Sequence, residues 1–137
     1  MIGAVLDCSA LVELLAAGGS AAIRENEHLA DAYLAAPHLI DPEFLNTLRR
    51  LSSRHRDQRH RVDRLLLEFG NVPLTRYEHE PLQADAWSWR EELTAYDAMY
   101  VALARALALP LITSDERFAS AAQGRCEVRR LKELVSG

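Results

Sequence analysis

The sequence predicts an α/β fold with three layers, in which a short central parallel sheet is flanked by helices. Short apolar runs typical of buried strands alternate along the chain with longer stretches at helical spacing. The chain has 137 residues, of which 49% are hydrophobic and 26% charged, and this is sufficient for one compact core. We therefore expect residues 1–137 to form a single domain.

The predicted strands are short and apolar, and helices lie between them. The strands are expected at residues 2–6, 72–74, 110–113 and 127–129, with a short strand or an extended link at 38–40. The first helix follows Asp7, and later helices are expected at residues 20–27, 29–36, 57–69, 80–90, 95–107 and 115–122. Another helix begins at Asp41 and Pro42, because aspartate is a good N-cap and proline suits a first helical turn. Within residues 80–90 we expect Trp87 to face the core.

Charge, cysteine content and the N-terminal segment argue against a secreted or membrane-bound protein. The formal net charge of −4 at pH 7 provides no overall attraction for nucleic acid or an anionic membrane. The apolar N-terminal segment contains Asp7 and Glu13 and is interrupted by two glycines, so it resembles neither a signal peptide nor a membrane span. Two cysteines are too few for a disulfide framework. These features favour a protein of the reducing cytoplasm with no membrane partner.

Four acidic residues lie far apart in the sequence, yet each is placed where a strand or loop leads into a helix: Asp7, Glu43, Asp97 and Asp115. Helices that follow parallel strands begin at one edge of the sheet, so these side chains can converge. Converging carboxylates bind hard divalent cations, and the cation offsets their mutual repulsion. Taken one at a time, each acid can equally be a helix cap or a partner of the helix dipole. Thr94, for example, can cap the helix that carries Asp97.

Three segments carry a resemblance to a known family. They read VLDCSALVELL, PHLIDPEFLNTL and LTAYDAMYVALARALALPLITSDERFA, and together they resemble the PIN-domain ribonucleases, specifically the VapC toxins of bacterial toxin–antitoxin pairs. The resemblance implies a PIN-like domain in which the four acids bind Mg²⁺, with Mn²⁺ as an alternative, and in which Ser9 and Thr113 are supporting hydroxyls. It also implies metal-dependent hydrolysis of structured RNA such as transfer or ribosomal RNA, a small VapB-like antitoxin as partner, and a homodimer.

Asp41 competes with Glu43 for the second acidic position, because both residues lie at the same predicted helix start. The family pattern places the acid at Glu43. We therefore interpret Asp41 as the cap of this helix.

A run of arginines follows Glu43 in the sequence. The RNA-binding candidates in it are Arg49, Arg50, Arg54, Arg56 and Arg59, and Arg61 and Arg64 extend it. Arginine suits contact with phosphates because its guanidinium donates two parallel hydrogen bonds. The alternative is a solvated helical face that is partly neutralised by the neighbouring acids.

Two other classes of function remain open at this stage. A non-catalytic PIN-like module would bind RNA or protein without cleaving it. A receiver-type signalling domain would carry an acidic pair after its first strand and a lysine near its last. The first strand is followed by Asp7, Cys8 and Ser9 and not by an acidic pair, and the one lysine is Lys132 near the C-terminus, so the receiver class is disfavoured.

Overall fold

Five parallel strands form one sheet in the order β3-β2-β1-β4-β5. The structure is a computed structural model and describes residues 1–135. The strands are β1 (Gly3–Leu6), β2 (Tyr33–Pro37), β3 (Leu74–Tyr77), β4 (Leu111–Thr113) and β5 (Val128–Arg130). The central strand β1 pairs with β2 on one side and with β4 on the other. All four of its residues are buried, as expected for an apolar strand that is covered on both faces.

Within the described residues the chain also forms eight α-helices. They are α1 (Cys8–Gly18), α2 (Ala21–Arg24), α3 (Ile40–Arg54), α4 (Arg59–Gly70), α5 (Gln83–Ser88), α6 (Ala95–Leu107), α7 (Glu116–Ala122) and α8 (Leu131–Val135). Helices α1, α3 and α4 contact one another, and α5 packs on α6, which lies against β1, β2 and β4. This arrangement confirms the predicted three-layer α/β fold.

From residue 95 to residue 130 the structure follows the sequence prediction closely, whereas β3 begins at Leu74 and not at the predicted residue 72. Helix α6 has the predicted bounds, and strands β4 and β5 and helix α7 each lie within one residue of their predicted positions. These elements have clear local signals: a long apolar helix, a proline before a short apolar run, and an acid at the next helix start.

The helix predicted at residues 29–36 is wrong. Residues 33–37 instead form β2, which pairs with β1 from Gly3 opposite Tyr33 and with β3 from Leu34 opposite Leu74. The alanines of this segment favour a helix when they are considered alone. Their small side chains also fit an inner strand that is fully buried, and burial between two neighbouring strands decides the outcome.

Two further predictions about individual residues are corrected. Helix α3 begins with Leu39 at its N-cap and has no side-chain cap; Asp41 accepts two hydrogen bonds from the guanidinium of Arg76 at 2.7 and 2.8 Å. Trp87 is not a core residue, because it is 68% exposed and its ring lies under the guanidinium of Arg90. Trp89 packs against the core in its place.

Among residues 1–135, no helix is both long enough and apolar enough to cross a lipid bilayer.

Candidate functional site

The carboxyl ends of β1 and β4 form the floor of the candidate site. These two strands are neighbours although about 100 residues separate them in sequence, and the chain leaves them into α1 and α7. In open α/β sheets such a point, where the strand order reverses, forms a crevice that binds ligands. Asp7 directly follows β1, and Thr113 ends β4. The fold therefore places both residues at the edge where a ligand is expected.

A cavity of about 380 Å³ opens above this edge, and its walls include all four predicted acids: Asp7, Glu43, Asp97 and Asp115. The other lining residues are Cys8, Ser9, Val12, Asn46, Thr47, Arg50, Tyr100 and Phe118. The structure thus brings together residues that are up to 108 positions apart in the sequence, from Asp7 to Asp115.

Asp7 is buried and is held by three donors. Its Oδ1 accepts hydrogen bonds from the Ser9 hydroxyl at 2.7 Å and from the backbone N–H of Ala10 at 2.9 Å, and its Oδ2 accepts one from the Thr113 hydroxyl at 2.5 Å. Burial raises the pKa of Asp7 to about 6, and these three hydrogen bonds limit the rise because they stabilise the charged form. Ser9 and Thr113 therefore lie beside the acid that they were predicted to support.

The same two hydroxyls connect the ends of the two strands. Ser9 Oγ accepts a hydrogen bond from the backbone N–H of Ser114 at 3.0 Å. Thr113 Oγ1 accepts one from the backbone N–H of Asp115 at 3.0 Å. Each hydroxyl thus donates to Asp7 and accepts from the loop that carries Asp115, which fixes the two acids relative to each other.

Asp97 and Asp115 lie at the starts of α6 and α7. Thr94 Oγ1 accepts a hydrogen bond from the backbone N–H of Asp97 at 3.1 Å, so Thr94 is the cap of α6, as predicted. Asp115 is itself the N-cap of α7, because its Oδ1 accepts from the backbone N–H of Phe118 at 3.1 Å. Capping and a position in the cavity wall are therefore compatible for Asp115.

The charges of neighbouring acids help to raise the pKa of Asp97 and of Glu43. Burial is the main cause of the raised pKa of Asp97, and the charge of Asp115 adds to it. Burial likewise raises the pKa of Glu43, which the hydroxyl of Tyr100 lowers and the charge of Asp97 raises again. A bound cation would remove this mutual repulsion and favour ionisation of the acids.

The donor set suits a hard divalent cation, because it consists of carboxylate oxygens and hydroxyls. Within residues 1–135, however, no three His, Cys, Asp or Glu side chains already form a group that could hold a metal ion. The four acids share one cavity without forming such a group. The residues therefore fit a cation in chemistry and in location, while the coordination shell is not assembled in advance.

Cys8 also lines the cavity, next to Asp7. Burial raises the pKa of its thiol to about 11, and the nearby charge of Glu43 adds to the effect. A thiol with this pKa is protonated at neutral pH and is a poor nucleophile. Cys8 is thus a partly buried wall residue of the cavity and not a nucleophile.

The structure separates the predicted arginines into two groups. Arg50 lines the acidic cavity. The others are exposed around the end of α3, the following turn at Arg56–Gln58 and the start of α4. Arg49, Arg54, Arg56 and Arg59 therefore lie outside the cavity.

Among the lining residues that the sequence analysis did not identify, three carry amide or hydroxyl groups: Asn46, Thr47 and Tyr100. Asn46 and Thr47 follow Glu43 by three and four residues, and Tyr100 follows Asp97 by three. These are the spacings that place side chains on the same face of a helix. Helical periodicity counted from each predicted acid would have identified all three.

Comparisons with known proteins agree with this geometry. Residues 4–124 match the PIN domain family. Ribonuclease VapC1 of Mycobacterium tuberculosis is 38% identical over 133 residues, which cover 93% of this chain and 97% of that protein.

Two solved structures share the fold. The crystal structure of PAE2754 from Pyrobaculum aerophilum superposes with a TM-score of 0.69 at 24% identity, covering 98% of this chain and 88% of that one. VapBC2 from Rickettsia felis, bound to a DNA fragment from its promoter, superposes with a TM-score of 0.63 at 15% identity, covering 95% and 98%. The family match spans most of the chain, and the chain belongs to the PIN-domain family, among the VapC ribonucleases.

Proposed function

We propose that this protein is a Mg²⁺-dependent endoribonuclease that hydrolyses phosphodiester bonds in structured cellular RNA, either transfer or ribosomal RNA, as the toxin of a toxin–antitoxin pair. The observation that carries the proposal is the presence of all four acids in the wall of one cavity at the carboxyl edge of the sheet. The similarity to ribonucleases named VapC supports the substrate class. Mn²⁺ is the expected substitute for Mg²⁺.

In this proposal the carboxylates of Asp7, Glu43, Asp97 and Asp115 hold the metal, and Ser9 and Thr113 keep Asp7 oriented and ionised. The bound cation would lower the pKa of a water molecule and stabilise negative charge on the phosphate. Asp97 is the candidate acceptor of the water's proton, because its carboxylate lies in the wall of the cavity where the metal would bind.

One face of α3 provides a path for the RNA backbone. Asn46 and Thr47 follow Glu43 by three and four residues, and Arg50 and Arg54 follow it by seven and eleven, so all four share the face of Glu43. At a rise of about 1.5 Å per residue, Arg50 is about 10 Å and Arg54 about 16 Å along the helix from Glu43. The two arginines are thus placed to contact successive phosphates of a strand that leaves the cavity. Arg49, Arg56 and Arg59 would add positive potential near the end of this path.

The direct test is cleavage of RNA by the purified chain with and without Mg²⁺. Loss of a partner of a metal ligand costs about 10 to 100-fold in activity, so Asp97→Asn, which alters a ligand itself, should cost about 100-fold or more. Asp85→Asn removes the same charge from an exposed position outside the cavity and is the matched control. Undiminished Mg²⁺-dependent cleavage by Asp97→Asn would refute the metal site, and absence of cleavage by the native chain would favour a non-catalytic binding module.

We also propose a VapB-like antitoxin partner, a homodimer, a single domain over residues 1–137 and a cytoplasmic location. The proposal of an antitoxin is supported by the similarity to VapC ribonucleases and to VapBC2 of Rickettsia felis. Co-purification of the protein with the product of a neighbouring small reading frame would test the partner, and light scattering of the chain alone would test the dimer. A monomer in solution would contradict the dimer without affecting the proposed chemistry.

A further inference from the structure

The hydroxyl of Tyr100 donates a hydrogen bond to Oε1 of Glu43. Tyr100 is only 2% exposed and belongs to the core, yet its phenol reaches the wall of the acidic cavity. Glu43 lies in the first turn of α3, and Tyr100 lies on α6, one turn after Asp97. The bond therefore connects the helix that carries one proposed ligand to the helix that carries another.

The buried ring of Tyr100 holds this donor in place. Tyr100 is packed in the core, so its hydroxyl is held against Oε1 of Glu43. A hydrogen bond to an ionised carboxylate is one of the stronger kinds and fixes the orientation of the acceptor.

Among residues 1–135, Tyr100 is the one side chain that donates a hydrogen bond to the carboxylate of Glu43. Asp7, in comparison, receives three hydrogen bonds. The glutamate has a longer side chain than aspartate and more rotamers to lose. Without the phenol, its carboxylate would be free to turn away from the cavity.

We propose that Tyr100 is a positioning residue for the metal site: its hydroxyl holds one oxygen of Glu43, so that the other oxygen faces the cavity at a fixed distance from Asp97. This inference rests on the proposed function, because it assigns a role toward the metal. It adds a residue that the four-acid pattern does not contain. Side chains that orient metal ligands in this way typically contribute about 10 to 100-fold to metal affinity.

The test compares Mn²⁺ binding by the native chain and by Tyr100→Phe, measured by calorimetry and by metal-induced thermal stabilisation. The phenylalanine keeps the buried ring and removes only the hydroxyl. The expected result is a loss of about 10 to 100-fold in Mn²⁺ affinity. Tyr33→Phe is the matched control, because it removes a hydroxyl that bonds to Tyr77 outside the cavity, and its Mn²⁺ affinity should equal that of the native chain.

A double-mutant cycle separates positioning from a general structural role. If Tyr100 acts through Glu43, then Tyr100→Phe should change Mn²⁺ affinity little in a chain that already carries Glu43→Gln. The same loss of affinity in both backgrounds would show that the phenol acts through the fold, and it would overturn the inference. An unchanged affinity in Tyr100→Phe alone, or failure of this variant to fold, would also overturn it.

The cycle also distinguishes failure of this inference from failure of the proposed function. If Glu43→Gln and Asp7→Asn weaken Mn²⁺ binding and Tyr100→Phe does not, the metal site stands and the role of Tyr100 is refuted. If neither acid substitution affects Mn²⁺ binding, both proposals are refuted together.

Discussion

Asp7 shows how a single buried carboxylate is tolerated at the end of a central strand. It caps α1, and hydroxyls from β4 and from α1 donate to its two oxygens. These contacts do not fully offset the loss of water, because the pKa of Asp7 is still raised from 3.8 to about 6. The residue is thus held at a cost in stability, as is common where a charge serves a site.

This cost predicts a pH-dependent effect of Asp7→Asn on the metal-free protein. Since the folded-state pKa is the higher one, the native state binds more protons than the unfolded state between about pH 4 and pH 6. The contribution of Asp7 to stability therefore becomes less favourable as pH rises through this window, by up to about 3 kcal/mol. Because asparagine makes weaker hydrogen bonds, we expect Asp7→Asn to be more stable than the native chain by about 1 to 2 kcal/mol above pH 6.

Urea unfolding at pH 4 and at pH 7.5 without divalent metal would measure this difference. The advantage of Asp7→Asn should shrink toward pH 4, where the native carboxyl is protonated. An advantage of equal size at both pH values, or a variant less stable than the native chain at pH 7.5, would contradict the account of Asp7.

The roles of single residues could be predicted from sequence where their partners are close in the chain. The capping of α6 by Thr94 and of α7 by Asp115 involves residues three positions apart. The partner of Asp41 is Arg76, which lies 35 positions away on a different element. No local pattern contains that pair, so capping was the natural but incorrect prediction for Asp41.

At the scale of elements, the first turn of α3 carries two acids with different surroundings. Asp41 is bound to Arg76 on β3, whose guanidinium also lies 5.3 Å from the ring centre of Phe69 on α4. Glu43, two residues later, lines the cavity instead. The Asp41 pair therefore anchors the start of the helix on which Glu43 is presented.

This division predicts different effects of two matched substitutions. Asp41→Asn should lower the free energy of unfolding by no more than about 1 kcal/mol, because the ion pair is partly exposed, and it should leave most RNA cleavage intact. Glu43→Gln should abolish cleavage with little loss of stability. Cleavage and urea unfolding of both variants would test this, and the reverse pattern would identify Asp41 as the second acid of the site.

The arginines on the exposed face of α3 lead to a separate prediction about the salt dependence of RNA binding. If Arg50 and Arg54 contact phosphates of a single strand, paired Arg50→Glu and Arg54→Glu should weaken RNA binding and reduce the slope of log affinity against log salt by about 0.7 per contact. Binding of RNA to the inactive Asp97→Asn chain at several salt concentrations would measure this slope.

Arg61 and Arg64 provide a charge-matched control for that measurement. They lie beside Gly18 and Gly19 at the C-terminal end of α1, whereas the acidic cavity is at its N-terminal end. The pair Arg61→Glu and Arg64→Glu should therefore change the slope much less. Equal slopes for the two paired variants would show that the arginines act only through total charge.

At the scale of the whole molecule, strand order creates the site. Strands β2 and β3 follow β1 on one side of it in the sheet. The chain then crosses back, and β4 and β5 lie on the other side of β1. This reversal leaves the ends of β1 and β4 adjacent, so that Asp7 and Thr113 come within hydrogen-bonding distance. The acids on α3 and α6 complete the cavity wall from the two flanking layers.

The α/β class and the grouping of the acids could be predicted because apolar runs and helix starts are local signals. The position of β2 could not, since its alanine-rich segment becomes a strand only through pairing with β1 and β3. The Tyr100 contact with Glu43 spans 57 positions and likewise depends on tertiary packing. Local patterns and the family resemblance therefore indicated which acids meet, whereas the residues that hold them required the structure.

The most direct test of the central claim is to sequence RNA 5′ ends in cells after brief expression of the chain, beside an Asp7→Asn control expressed at the same level. Our account predicts new ends at a small number of sites in transfer or ribosomal RNA, present with the native chain and absent with the variant. The same ends with both chains, or no new ends with the native chain, would contradict it.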